Sequence, residues 1–297
     1  MSDSRVITKE FEYFAPKTTE KAVSLLSQYG NRARVIAGGT DLLVGIKMGK
    51  IQPDYLVNIT TIAGIDRLHA SKNGFTIGAG CTFYQLENSS LVEGKYGALY
   101  EAARSVSSVQ IKNMGTIGGN LCNASPASDT APPLLVLGAR ANIQKPGAER
   151  QIPLEDFFVG PGEAALSEDE ILTGVELPLL SSGTGSAFIK IGRVGADLAK
   201  INVAVFIKRN RDSCKECRIA LGSVAKTPLR TKKAEAMMKG EMFNDELVET
   251  VAQKASEEIS PITDVRSTKE YRREVARLIT KKALLKAWEK AGGEKQR

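Results

Sequence analysis

The chain has 297 residues, with 41 Lys+Arg, 34 Asp+Glu and a formal net charge of +7. It is 42% hydrophobic and 25% charged, which suits a globular protein of about two domains and argues against disorder. Its one histidine, His69, cannot build a multi-histidine metal site, an HExxH protease or a facial triad, and no GxSxG elbow accompanies it, so any enzymatic chemistry points to a bound organic cofactor.

Residues 18–30 read as a helix. Ala22, Leu25, Leu26 and Tyr29 fall on one face, Thr18 or Thr19 can cap the start, and Gly30 can end it. A short strand, Ala33 to Ala37, then runs into Gly38-Gly39-Thr40-Asp41. Tyr55–Ile59 and Phe75–Ala79 read as further strands, with a helix after Thr82 and another before the glycine-rich segment at 115–120. His69 is expected on a surface turn.

The later part opens with strand-like runs at Ala187–Val194, Ile201–Arg209 and Arg218–Val224, and two helices follow. In the last, Ser267 and Glu270 have capping-box spacing, and Tyr271, Val275, Leu278, Leu285 and Trp288 are expected as one apolar core stripe. The tail, Gly292 to Arg297, is expected to be disordered.

Charge divides the chain. Residues 1–180 hold 16 Lys+Arg and 19 Asp+Glu, whereas residues 181–297 hold 25 and 15. A Pro-, Ser- and Gly-containing run, Leu177 to Ser186, lies at the change, so the expected domains are 1–180 and 181–297. The basic half alternates with acids, as in Lys269-Glu270, and has no aromatics interleaved for base stacking. It therefore reads as a solvated or docking surface, with no nucleic-acid partner.

Four cysteines do not read as a disulfide framework. Cys214-Lys-Glu-Cys217 reads as an incidental pair in a strand-connecting loop, because a structural zinc site needs four ligands. The start, MSDSRVITKE, has no apolar signal region, and stretches such as Pro132–Ala139 fall far short of the ~20 residues of a membrane span. A reducing, cytoplasmic setting is expected.

Two segments can carry chemistry. In Val35-Ile36-Ala37-Gly38-Gly39-Thr40-Asp41-Leu42, adjacent glycines follow a strand. They allow positive φ and close ligand approach, and successive N–H groups form an anion nest suited to a diphosphate. Thr40 can add a hydroxyl, and Asp41 its N–H. The alternative is a plain strand–loop turn. The second segment, Gly115-Thr116-Ile117-Gly118-Gly119-Asn120, reads as another Gly-Gly turn. Asp129 follows as a lone carboxylate able to accept from a ribityl or ribose hydroxyl. Two such turns suit a dinucleotide. Neither is a Rossmann fingerprint or a P-loop, so another fold must hold it.

Together, residues 35–42, 111–120 (IKNMGTIGGN) and 124–132 (ASPASDTAP) resemble the FAD-binding medium subunits of molybdenum hydroxylases, a family that includes xanthine dehydrogenase and aerobic carbon monoxide dehydrogenase. The resemblance continues in order through 169–172, 188–190, 197–200, 226–230 and 264–272. It implies an α+β fold. A two-subdomain FAD-binding domain of the vanillyl-alcohol-oxidase type precedes a C-terminal α+β domain with a small antiparallel sheet and helices. It implies that 35–42 hold the FAD diphosphate, that 116–120 form a second wall, that Asp129 meets the flavin and that Leu172 lies against the isoalloxazine. Lys190 is a looser match, and Val106 or Ser107 would flank the ring. No residue need be a general base, because the flavin carries the electron chemistry.

The family also implies partners. A small subunit carries two [2Fe-2S] clusters, and a large subunit carries the molybdopterin cofactor. NAD+ or another acceptor takes the electrons, and the assembly is a heterotrimer or a dimer of them. The absence of a cysteine-rich insertion argues against the variant with an extra cluster here. The xanthine-dehydrogenase-like type is favoured on residues 160–163, 169–172, 226–230 and 271–282, and a carbon monoxide dehydrogenase-type subunit is the alternative. A stand-alone flavin reductase of related fold would need its own proton donor, and none stands out. A binding module using the basic half is the third reading.

Overall fold

The computed structural model describes residues 9–292. Strand β1 (Glu12–Phe14), helix α1 (Thr19–Tyr29), strand β2 (Ala33–Ile36), helix α2 (Leu42–Lys47) and strand β3 (Tyr55–Asn58) form the first unit. The three strands make a parallel sheet in the order β1-β3-β2. Thr18 caps α1 by accepting from the Lys21 N–H at 3.2 Å, and Gly30 ends the helix at φ 53°. Helix α1 buries Ala22, Val23, Leu25 and Leu26, the face its spacing dictates. Tyr29 stacks on Tyr55 at 3.8 Å, with Phe14 beside both.

Strands β4 (Leu68–Ala70) and β5 (Gly74–Gly78) begin the second unit. Six short helices follow: α3 (Phe83–Glu87), α4 (Ser90–Lys95), α5 (Gly97–Ser105), α6 (Val109–Met114), α7 (Ile117–Cys122) and α8 (Ala131–Val136). Then come β6 (Arg140–Lys145), β7 (Ala148–Pro153), β8 (Phe158–Gly160), β9 (Glu163–Ala164) and β10 (Ile171–Pro178). Five strands form an antiparallel sheet ordered β4-β5-β10-β6-β7. Helices this short are unstable alone. Side chains of Thr82, Ser89, Ser108 and Thr116 cap four of them, Thr82 with Gln85 in a full capping box. Leu99, Leu134, Ile77 and Ile143 are fully buried between helices and sheet, each contributing about 1.5–3 kcal/mol. His69 is exposed on edge strand β4 opposite Thr76, not on a turn, because Leu68–Ala70 pair with β5.

The last unit is an antiparallel sheet of β11 (Thr184–Ile191), β12 (Ile201–Asn210), β13 (Ser213–Gly222) and β14 (Leu229–Arg230), followed by α9 (Lys232–Met238), α10 (Asp245–Glu257) and α11 (Lys269–Lys290). Alternation along β12 sends Val203, Val205 and Ile207 into a core shared with the three helices. Ala204 and Phe206, with Phe188 and Ala220, join the core of the first 180 residues instead. Both faces of this sheet are therefore covered.

Three expectations fail here, one of them in part. Thr268, not Ser267, caps α11 by accepting from the Tyr271 N–H, and no capping box forms. The apolar stripe holds only in part, with Trp288 buried and Val275 and Leu285 packed against the core. Tyr271 and Leu278 are exposed, while Ala276, Ile279, Ala283, Leu284, Ala287 and Trp288 are buried. Small residues allow that close seating, and a β-carbon on Gly185 of β11 would overlap the Ala287 carbonyl. Cys214 and Cys217 lie within β13, not in a loop. A register shift opposite Lys208 and Arg209 turns both thiols toward the helix-covered core. The expected loose tail lies outside the described residues from position 293.

Candidate functional site

Strand β2 carries Val35 and Ile36 to the mouth of a loop. The Ile36 carbonyl accepts from the Ile59 N–H at 3.0 Å and pins the strand end. Residues 37–41 then turn, with Gly39 at φ 70°, and Leu42 begins α2. The Leu43 N–H donates to the Gly39 carbonyl at 3.0 Å. Among the described residues, the N–H groups of Gly38, Gly39, Thr40 and Asp41 find no protein acceptor. Such a run of open amides is an anion-binding nest. Gly38 has a separate duty, since a β-carbon there would overlap the Met114 carbonyl. Its bareness lets this loop close on the end of α6.

The second glycine segment is not a turn. Thr116, buried, caps α7, its Oγ1 accepting from the Gly119 N–H at 3.1 Å. The Ile117, Gly118 and Asn120 amides donate to the carbonyls of Cys81, Ala79 and Thr116 at 2.8, 2.9 and 3.0 Å. All four amides of 117–120 are thus occupied, so this segment offers no second amide cradle. Gly118 is bare because a β-carbon would come 2.7 Å from the Ala79 carbonyl. Asn120 Oδ1 accepts from the hydroxyls of Ser128 and Thr130, both at 2.6 Å, and so shapes the loop that carries Asp129.

Asp129 is buried. Its Oδ2 accepts from Lys190 Nζ at 2.6 Å, and its Oδ1 from Asn202 Nδ2 at 3.0 Å. Burial pushes its carboxyl above the ordinary range, against the Lys190 ammonium and the Asn202 amide, which favour the charged form. Lys190 Nζ also donates to the Ser105 carbonyl at 3.1 Å, next to Val106, which caps α5. The chain then turns at Ser107 with φ 27°. Asp129, Lys190 and the 105–107 turn are therefore one cluster. Leu172 is buried in β10 opposite Ile143, one residue before Thr173, whose carbonyl accepts from Ala79.

Residues 9–180 match the model of the FAD binding domain in molybdopterin dehydrogenase, and residues 186–287 match the CO dehydrogenase flavoprotein C-terminal domain. The chain belongs to the FAD-binding medium subunits of the molybdenum hydroxylases. It is 32% identical to the carbon monoxide dehydrogenase medium chain of Hydrogenophaga pseudoflava, covering 95% of this chain and 99% of the other. It is likewise 32% identical to the glyceraldehyde dehydrogenase medium chain of Sulfolobus acidocaldarius, over 92% and 97%. The structure of carbon monoxide dehydrogenase from H. pseudoflava superposes with a TM-score of 0.93 at 33% identity, covering 96% of this chain and 99% of that one. The nest of open amides fits the diphosphate of this family's FAD.

Sequence reading missed Asn202. Its signal was a lone amide inside the apolar run Ile201–Ile207, where a buried polar group needs a partner. Ser105 carries no such signal, because it acts through its carbonyl.

Proposed function

We propose that this chain is the FAD-carrying electron-transfer subunit of a molybdenum hydroxylase. In this reading, residues 1–180 hold the cofactor and residues 181–297 close over it. It takes electrons from the [2Fe-2S] clusters of a small partner subunit. These come from the molybdopterin site of a large subunit, and NAD+ or another acceptor removes them. The complex is a heterotrimer, or a dimer of heterotrimers, in the cytoplasm. The observation that carries the reading is the run of open amides from Gly38 to Asp41, set against Met114.

Bound FAD supplies the conversion between one-electron and two-electron transfer. The chain's own residues bind and orient. The 38–41 amides hold the diphosphate, with Val35–Ala37 and Leu42 fixing the ends of that loop. Thr116–Asn120 form the facing wall. Lys190 and Asp129 present a neutralised ion pair beside the 105–107 turn, with Val106 and Leu172 as the apolar neighbours of the ring. Relatives named for glyceraldehyde, carbon monoxide, xanthine and nicotinate dehydrogenases lie between 31% and 34% identity, so identity favours none of these substrates. The xanthine-type reading rests on residues 160–163, 169–172, 226–230 and 271–282 alone.

The purified chain is expected to be yellow, with tight non-covalent FAD. A colourless protein without flavin absorbance after incubation with FAD overturns the proposal. Co-purification with a subunit bearing two [2Fe-2S] cysteine motifs tests the partner assignment.

A further inference from the structure

Asn202 sits on β12 with no exposed surface, in the run Ile201–Ile207 that is otherwise Ile, Val, Ala and Phe. Burying an amide in such a strand costs stability unless it is paired. Its Nδ2 donates twice, to Asp129 Oδ1 at 3.0 Å and to the Ser128 carbonyl at 3.1 Å. Its Oδ1 is buried with no partner. Turning the amide over would point that oxygen at the Asp129 carboxylate, so the orientation is fixed. Gly222, opposite on β13, makes room, because a β-carbon there would overlap Oδ1.

The backbone around this residue is strained. Among the described residues, four non-glycines have positive φ: Ser107, Ala124, Arg211 and Ser223. Arg211 lies in the turn between β12 and β13. The other three surround the Asp129 cluster. Ser107 follows the Lys190-bound Ser105 carbonyl, Ala124 opens the loop to Asp129, and the Ser223 N–H donates to the Pro126 carbonyl in that loop at 2.7 Å. Strain of this kind persists only where the surroundings hold it and collects at functional sites.

We infer that Asn202 is a positioning residue for the flavin site, fixing the Asp129 carboxylate in its charged, Lys190-paired orientation and acting on the cofactor only through Asp129. The inference rests on the proposed placement of FAD beside Asp129. Charge near the ring tunes a flavin's electronics. Removing the Asn202 donor favours the neutral carboxyl, and a less negative neighbour makes reduction easier.

The test measures FAD dissociation constant and midpoint potential in the full chain for Asn202→Leu, Asp129→Asn and the double variant. Both single variants are expected to raise the potential and weaken FAD binding, Asn202→Leu by roughly tenfold, the equivalent of about 1.4 kcal/mol. The double variant is expected to match Asp129→Asn, because a residue acting only through Asp129 has nothing left to act on. Additive effects, or an Asn202→Leu protein with wild-type potential while Asp129→Asn is shifted, overturn the inference and leave the site reading standing. An Asp129→Asn protein that binds FAD with unchanged affinity and potential overturns the site reading and the inference together. Asn202→Ser, which is smaller, provides the same comparison if the leucine variant does not fold.

Discussion

A β-carbon on Gly38 would collide with the carbonyl oxygen of Met114. Two segments 76 positions apart in the sequence thus meet backbone to backbone, and this contact holds the 37–41 loop against the end of α6. Gly38→Ala must push α6 away from the 37–41 loop. It is expected to cost about 1–3 kcal/mol in urea unfolding of the apoprotein and to lower the FAD content of the purified chain.

Gly39→Val tests the amide cradle more directly. A β-branched residue at φ 70° carries about 1–3 kcal/mol of backbone strain. The loop is expected to relax away from its open-amide geometry and flavin absorbance to be lost. A valine variant with wild-type flavin content would move the diphosphate elsewhere.

Lys190→Met removes the cation from a buried pair and leaves Asp129 uncompensated. Unfolding free energy is expected to fall by about 3–5 kcal/mol, since breaking one side of a buried pair costs far more than replacing both. Adding Asp129→Asn to Lys190→Met is expected to recover a large part of that loss.

Glu170 governs part of the acid response. Hydrogen bonds from Arg150, with Nε–Oε1 at 2.7 Å and Nη2–Oε2 at 2.6 Å, hold its carboxyl below the ordinary 4.5 despite burial, and the Ser167 N–H adds to this. A depressed folded-state value means stability that is present above the unfolded value and lost as pH falls through the folded one. Wild-type stability is therefore expected to drop as pH falls below about 4.5, and Glu170→Gln is expected to flatten that drop. Urea midpoints measured across that range decide it.

Glu101 on α5 ties the first part of the chain to the last. It accepts from the Phe188 N–H of β11 at 2.8 Å and pairs with Lys290 at 2.7 Å and Lys286 at 2.9 Å on α11. Burial pushes its carboxyl up, but the two ammonium groups and the Phe188 N–H overcome this and hold it down. Glu101→Ala leaves the Phe188 N–H unpaired and is expected to cost about 1–3 kcal/mol, read as a lower melting temperature.

Local sequence pattern marks where the first glycine loop lies. Hydrophobic Val35-Ile36 before Gly38-Gly39 marks a strand entering a turn, and the structure keeps that arrangement. The same logic misread 116–120, because Thr116 is a helix cap and glycine is also used there to pack α7 against Ala79. The α11 stripe was misread in part because Ala276, Ala283 and Ala287 share the buried face with Ile279, Leu284 and Trp288, while Tyr271 and Leu278 stay exposed. The Asp129–Lys190–Asn202 cluster joins positions 61 and 73 residues apart, and no periodicity links them. Sequence resemblance could suggest Asp129 and Lys190, but only folding shows what pairs them.

The sheet β11–β14 presents Phe188, Ala204, Phe206 and Ala220 to one core and Val203, Val205 and Ile207 to the other. It works as a party wall between two dwellings. Severing the chain after residue 180 would leave the cofactor half roofless, with apolar rafters open to water, and would separate Asp129 from both of its partners. The two halves therefore fold as one body, and a cut between them is expected to cost both the shared sheet and the Lys190 and Asn202 contacts to Asp129.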